Sequence, residues 1–189
     1  MTSLGGIPCF APTKEAAELE GSKTFSKDFM TRHGIPTTRY QNFSDYQAAK
    51  DHIAKIDYPI VIKVSGLAAG KGVILPSTKK EEEDALADVM LGGKFGSAGS
   101  SVVIEEYLEG TEISIHTFSD GTTTRSLPPG QDHTRIGEGD TGLNTGGMRV
   151  YTPIPMVAST MMAEIEEQIL KPTFEGLKSE GMHFEWFLT

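Results

Sequence analysis

Cysteine is almost missing from these 189 residues, where Cys9 stands alone. One thiol excludes an intramolecular disulfide and a cysteine-built zinc site, and it suits a reducing compartment. Cys9 itself reads as a small packed residue rather than a nucleophile. Long apolar runs are missing too. No stretch approaches the roughly 20 residues of a membrane span, and Met1-Thr2-Ser3-Leu4-Gly5-Gly6 lacks the basic-then-apolar pattern of a secretory leader, so the expected location is cytoplasmic. Positive charge is in deficit, with 17 Lys and Arg against 26 Asp and Glu and a net charge of −9. That balance opposes nonspecific adhesion to nucleic acid or an anionic membrane and points to a small-molecule partner. Internal repeats and low-complexity tails are absent as well. The chain is long enough to bury one sizeable core or two small ones.

What is present centres on Val61-Ile62-Lys63-Val64-Ser65-Gly66-Leu67-Ala68-Ala69-Gly70-Lys71-Gly72-Val73-Ile74-Leu75. The β-branched ends suit a buried pleated surface, and the glycines allow backbone angles and close approaches that a Cβ would block. Such a loop can set its N–H groups on phosphate oxygens. It is not a Walker A loop, which needs four residues before Gly-Lys and then Ser or Thr. Here only Leu67, Ala68 and Ala69 separate Gly66 from Gly70, and Gly72 follows Lys71. A β run rather than a helix comes next, so no helix N-terminus faces the phosphates. A hairpin flap folded over a nucleotide is expected, against the plainer alternative of a glycine-rich turn that binds nothing.

Along the chain, Gly5 to Pro12 is irregular or extended, since two prolines and two glycines leave no room for a helix. Thr13 caps a first helix that Gly21 interrupts, and Ser22 caps a second through His33, with Phe25, Phe29 and Met30 on one face. Lys23 falls in that helix's first turn, where the dipole disfavours a cation, so it is either solvated or aimed at an anion. Ser44 is the expected cap of a third helix to about Ile56, and Thr78 of a fourth to about Leu91 whose Glu81-Glu82-Glu83-Asp84 run reads as a solvated start. Strands are expected over 102–107, 112–118 and 122–127, the last two joined at Asp120-Gly121. Residues 128–155 are polar and turn-rich, and a loop of that length is functional or disordered. A helical region over 159–180 is expected to kink or split at Pro172.

Lys63 on the strand entering the flap, Lys23 upstream, and Glu105-Glu106-Tyr107-Leu108-Glu109-Gly110-Thr111-Glu112 together resemble the ATP-grasp superfamily. The resemblance implies an α/β (α+β) chain in which two lobes with antiparallel sheets enclose the nucleotide. It narrows at Ser22-Lys23, Arg32-His33-Gly34-Ile35-Pro36-Thr37, residues 65–73, Gln131-Asp132-His133 and Asn144-Thr145-Gly146-Gly147-Met148. These resemble the glycinamide ribonucleotide synthetase (phosphoribosylamine–glycine ligase) family over about residues 6–181. By that resemblance residues 1–12 are the end of a linker from an N-terminal domain. Residues 13–189 are an ATP-grasp domain, with about 37–108 as the small flap-bearing lobe and the remainder as the large lobe.

The resemblance also implies roles. Lys23 and Lys63 neutralise ATP phosphates, as developing charge in phosphoryl transfer requires, and the flap around Gly70 closes over them. Glu105, Glu106, Tyr107 and Leu108 match the hinge that reads adenine, and Glu112 matches the ribose ligand. Asp132, His133 and Arg135 lie near the acyl-phosphate chemistry, with Asn144, Thr145, Gly146 and Gly147 as donors near glycine. The implied substrates are ATP, glycine and phosphoribosylamine in de novo purine synthesis, with no nucleic acid or membrane partner and room for fusion to other purine-pathway domains. No covalent enzyme intermediate is required.

Four positions depart from the family pattern. Ala11 and Thr134 stand where glycine and lysine are usual, Thr111 replaces an acidic residue, and Arg149-Val150 replaces Gly-Ala, so that Arg149 is expected to perturb substrate placement. The ligands for Mg2+ or Mn2+ are expected downstream of this chain, none within it, and an N-terminal lobe upstream. Phe184-Glu185-Trp186-Phe187-Leu188-Thr189 is unlike the strand pair usual there. The activity of the 189-residue chain by itself is therefore left open. So are two rival readings, a noncatalytic nucleotide-binding remnant and a carboxylate–amine ligase of the same superfamily with another acid substrate.

Overall fold

β-branched residues at alternate positions build the sheet that carries the flap. The computed structural model describes residues 2–4, 7–68, 72–139 and 141–189, and the chain divides into two units. One comprises residues 19–28 and 37–109, the other 1–18, 29–36 and 110–189. Short strands β1 (Thr2–Leu4) and β2 (Ile7–Cys9) pair antiparallel and precede helices α1 (Lys14–Gly21) and α2 (Lys23–Arg32).

The flap-bearing unit contains β3 (Tyr40–Phe43), α3 (Tyr46–Ile53), β4 (Ile60–Val64), β5 (Val73–Ile74), α4 (Lys79–Met90) and β6 (Val102–Glu106). Its four strands run antiparallel in the order β3-β6-β4-β5. Side chains alternate across the pleat. Ile60, Ile62 and Val64 of β4 join Val102 and Ile104 of β6 in a core with Ala49 and Ile53 of α3 and Leu86 and Val89 of α4. Each such aliphatic side chain contributes about 1.5–3 kcal/mol on burial. The register Ile62↔Ile104 leaves Lys63 and Glu105 on the opposite face, diagonal to one another.

The expected hairpin is present as β4 and β5, with Ile62↔Ile74 paired. Two of its glycines serve close packing. A Cβ on Gly66 would lie 2.7 Å from Ala98 Cβ and 2.9 Å from Ala98 Cα, and one on Gly72 would lie 2.7 Å from Ala68 Cβ. Gly66→Ala is therefore expected to cost about 1–3 kcal/mol in a denaturant titration, and a change within error would show that the 95–101 segment yields freely. Gly70 lies outside the described residues.

Two helix starts differ in detail. Thr78 caps α4 as expected, accepting the Glu81 N–H at 3.2 Å, but α3 is capped by Asp45 rather than Ser44, its carboxylate accepting the Ala48 N–H at 2.8 Å. The residue next to the first turn supplies the stronger anionic acceptor at the positive helix end. Glu82 is buried rather than solvated. Lys79 Nζ reaches its carboxylate at 3.0 Å and also the Ile53 and Ile56 carbonyls at 2.9 and 2.8 Å, so Lys79 satisfies carbonyls at and just after the end of α3 while Glu82 balances its charge.

The second unit holds β7 (Thr117–Ser119), β8 (Thr124–Ser126), β9 (Gln131–Gly137), β10 (Thr141–Tyr151), α5 (Ser159–Ile165), α6 (Lys171–Ser179) and β11 (Phe187–Leu188). Strands β11, β7 and β8 form one sheet, and β9 with β10 another. The Asp120 turn joins β7 to β8 as expected, its Oδ1 accepting the Thr122 and Thr123 N–H groups. Residues 112–116, expected as a strand, carry only the isolated Ser114↔Gly130 bridge. The polar stretch 128–155 holds a long hairpin rather than a loop. Its glycines mark bulges and turns inside paired strands, with Gly139, Gly142 and Gly147 at φ 70°, 83° and 111°. The last helical region breaks just before Pro172, at a π-helical turn over Glu166–Leu170, where a residue without an N–H loosens the ladder. Among the described residues no helix is long and apolar enough to cross a membrane.

Candidate nucleotide and substrate sites

In the flap-bearing unit, hydroxyl groups tie the start of α2 to the end of β4. Ser22 caps the helix, its Oγ accepting the Phe25 N–H at 3.3 Å. The Lys23 N–H donates to the Ser65 carbonyl at 2.9 Å, and Thr24 Oγ1 meets Ser65 Oγ at 2.9 Å. This clamp sets Lys23 beside Lys63. Burial, and then the Lys63 charge, hold the Lys23 ammonium below the ordinary lysine value. Among the described residues Lys23 meets no carboxylate, so a half-buried cation stands next to a second cation without an anion of its own.

Glu105 is 3% exposed and is shared by two lysines. Lys27 Nζ lies 2.5 Å from Oε2, Lys63 pairs with Oε1, and Thr38 Oγ1 donates to Oε2 at 2.9 Å. Burial pushes the carboxyl upward, but hydrogen bonds from Lys27 and Lys63 and their charges outweigh it, and Glu105 titrates below the usual range. Glu106 is held by Arg39, whose backbone N–H and Nε donate at 3.0 and 2.8 Å. Tyr107 and Leu108 follow, both exposed, with the Tyr107 N–H on the Pro59 carbonyl at 2.9 Å. Lys23, Lys63, Glu105 and Glu106 thus gather on one unit, with Tyr107 and Leu108 leaving its central strand.

Lys27, Thr38 and Arg39 were not among the residues expected from sequence. Lys27 carried a signal, since it lies four residues beyond Lys23 and so on the same helix face. A cavity of about 560 Å3 in this unit is lined by Tyr58, Ile60, Leu75, Lys79, Glu82 and Tyr107 among others. It takes in Tyr107 but neither Lys23 nor Lys63, so the lysine cluster rather than this cavity is the chemically equipped surface.

The second unit carries the other candidates. Glu112 is exposed in the irregular stretch before Ser114. Asp132, His133 and Arg135 lie on β9, where alternation sends Asp132 to one face and His133 and Arg135 to the other. The His133 ring stacks on Tyr151 at 5.8 Å. Residues 144–147 fall where the register shifts between Asn144 and Arg149, a bulged stretch of the kind found beside active sites. The Thr145 hydroxyl donates to the Thr134 carbonyl at 2.8 Å and accepts the Gly147 N–H at 3.1 Å, which orders the bulge. The Asn144 side chain lies outside the described residues. Arg149 is exposed and opposite His133 in the register.

Gly147 is required here on two counts. Its φ is positive, and a Cβ would lie 3.0 Å from Asp132 Oδ2. The other carboxylate oxygen, Oδ1, is buried with no hydrogen-bond partner among the described residues. An acceptor in that state fits an N–H or cationic ligand. For a metal ion the described residues offer no group of three or more His, Cys, Asp or Glu side chains.

The sequence pattern of the phosphoribosylglycinamide synthetase ATP-grasp (A) domain family matches residues 21–189. A bifunctional purine biosynthetic protein of Pichia angusta is 56% identical over 176 residues, which are 93% of this chain and 22% of that protein. The phosphoribosylamine–glycine ligase of Haemophilus influenzae is 48% identical over 97% of this chain and 43% of its own length. Among solved structures, the phosphoribosylamine–glycine ligase of Thermotoga maritima superposes with a TM-score of 0.87 at 36% identity, over 94% of this chain and 45% of that one. The chain thus spans less than half the length of each of these relatives.

Proposed function

The chain belongs to the phosphoribosylglycinamide synthetase ATP-grasp (A) domain family, and from that membership we propose that it is the ATP-holding part of a ligase joining glycine to 5-phosphoribosylamine. In the first step the γ-phosphoryl group passes from ATP to a glycine carboxylate oxygen, giving ADP and glycyl phosphate. The phosphoribosylamine nitrogen then attacks the acyl carbon, phosphate leaves, and the nitrogen releases a proton as the amide of glycinamide ribonucleotide forms. Activation is needed because a carboxylate is a poor electrophile.

The observation that carries this reading is Lys23, a half-buried ammonium with a lowered pKa and no carboxylate partner among the described residues, beside Lys63. Two adjacent cations at the foot of a hairpin flap suit a polyphosphate, whose charge would offset their repulsion. Asp132 Oδ1, buried without a hydrogen-bond partner among the described residues, supports an amine-bearing substrate at the second set of residues. A divalent cation, which the fold family implies, finds no ligand cluster among the described residues, and no step here is drawn through one. We read the protein as a cytoplasmic enzyme of de novo purine synthesis. The bifunctional name of the Pichia relative supports fusion to a further pathway domain.

The test has two arms. ADP release by a chimera restoring the flanking segments of the Pichia relative is expected only with glycine and phosphoribosylamine together, with glycinamide ribonucleotide seen by mass spectrometry. Faster release with another carboxylate would replace glycine as the acid. In the second arm, ATP titrated at a pH just below the ordinary lysine range is expected to bind with proton uptake, because phosphate returns the Lys23 ammonium towards its usual value. Calorimetry in buffers of different ionisation enthalpy reads that uptake, and its absence would remove Lys23 from the phosphate site.

A further inference from the structure

The lysine cluster holds two ammonium groups, Lys27 and Lys63, on one buried carboxylate, Glu105, with a third, Lys23, beside Lys63. The neighbouring Glu106 is hydrogen-bonded and paired with Arg39 and feels the Lys27 charge only at longer range. The three lysines are unequal. Lys27 Nζ is 2.5 Å from Glu105 Oε2, 2.7 Å from Thr37 Oγ1 and 2.5 Å from Thr38 Oγ1, and it sits 5.6 Å from the Tyr40 ring centroid. An ammonium has three N–H donors, and those three oxygens use them all. At 12% exposure Lys27 has neither a spare donor nor room to reach a ligand. Lys63 is 30% exposed, and Glu105 is its one ionic partner among the described residues.

We propose that Lys27 is a positioning residue for Lys63: by occupying one oxygen of the Glu105 carboxylate it leaves the Lys63 ammonium only partly matched, and so available to an anionic ligand. Without Lys27 the full carboxylate charge faces Lys63 alone. The pair then closes on itself, and a phosphate must compete with Glu105 for the cation. Thr38 belongs to the same device, since its hydroxyl donates to Glu105 while accepting from Lys27. The inference rests on the nucleotide reading of Lys63 for its ligand, but the coupling of Lys27 to Lys63 can be read with no ligand present.

The ligand-free experiment follows hydrogen exchange of the Lys63 ammonium by 15N NMR of ζ-labelled lysine in the 189-residue chain. Lys27→Met is expected to slow that exchange several-fold, since the Glu105 carboxylate is no longer divided and holds Lys63 more tightly. An unchanged Lys63 exchange rate overturns the proposal. In ATP calorimetry Lys27→Met is expected to weaken binding about tenfold, whereas Lys27→Arg retains most of the affinity. Lys27→Met combined with Glu105→Gln is expected to regain much of what the single substitution lost, because the carboxylate that captures Lys63 has lost its charge. An arginine variant as weak as the methionine variant, or a double variant no better than Lys27→Met alone, defeats the charge-sharing role. If Lys27→Met fails to fold, Thr38→Val keeps every charge, removes one donor to Glu105, and should still slow the Lys63 exchange. No change there also overturns the proposal. If the unaltered chain binds no ATP, the nucleotide reading falls while the ligand-free exchange measurement still decides the coupling.

Discussion

Replacing Glu105 by alanine is expected to lower the unfolding free energy by about 3–5 kcal/mol, the cost of leaving buried charge without its partner. The carboxylate is 3% exposed and is flanked by Lys27 and Lys63, with Thr38 on the same oxygen as Lys27. Its removal sets two ammonium groups against each other in a poorly hydrated place. Glu105→Gln, which keeps the shape and one acceptor, should cost less, and the gap between the two variants separates charge from packing. The effect carries a pH signature. Glu105 has a folded-state pKa below its unfolded value, so its contribution is complete above the ordinary glutamate range and is lost as pH falls through the lowered folded value. Denaturant melts of the two proteins should therefore converge in acid. A difference under about 1 kcal/mol near neutrality, the size of an exposed ion pair, would mean that the cluster is solvated and contributes little.

Lys63→Met should do the reverse, sparing the fold and removing the ligand. Glu105 would keep Lys27 and Thr38, and the methionine stem would still lie along β4, so the melting curve should shift little. ATP affinity should fall about ten- to a hundredfold, since a charged hydrogen-bonding partner is worth about 1.5–3 kcal/mol. Calorimetry measures it directly, and an unchanged affinity would take Lys63 out of the phosphate site. Set beside Glu105→Ala, the pair of variants dissociates two uses of one cluster. If both outcomes are found, the carboxylate mainly holds the structure and the lysine mainly meets the nucleotide.

Several elements were legible because their cause is local. The Thr78 cap, the break at Gly21, the Asp120 turn and the β-branched runs around the flap each depend on a few adjacent residues, and each appears in the structure. The elements misread from sequence depend on partners far along the chain. Residues 128–155 look like a loop because glycines and polar residues weaken the strand signal. Pairing between β9 and β10 overrides that weak propensity, and the glycines become bulges. Glu82 looks solvated among its acidic neighbours until Lys79 and the end of α3 are brought against it.

The candidate site divides in the same way. The amino-acid sequence by itself determined the glycine-rich hairpin between β-branched runs, a lysine in a helix first turn where no cation is favoured, the acidic pair Glu105-Glu106 at a strand end, and the order of motifs that marks the family. These are matters of residue type and spacing. Only the tertiary structure decided that Lys63 and Glu105 share a face, because that follows from the register Ile62↔Ile104 and not from either strand alone. It also decided that Lys27 and Thr38 complete the pair, and that Ser65 pins Lys23 beside Lys63. A charge becomes a binding group only when its neighbours are known, and Thr24 and Ser65, or Thr38 and Glu105, are brought together from 41 and 67 residues apart by sheet register and a helix cap.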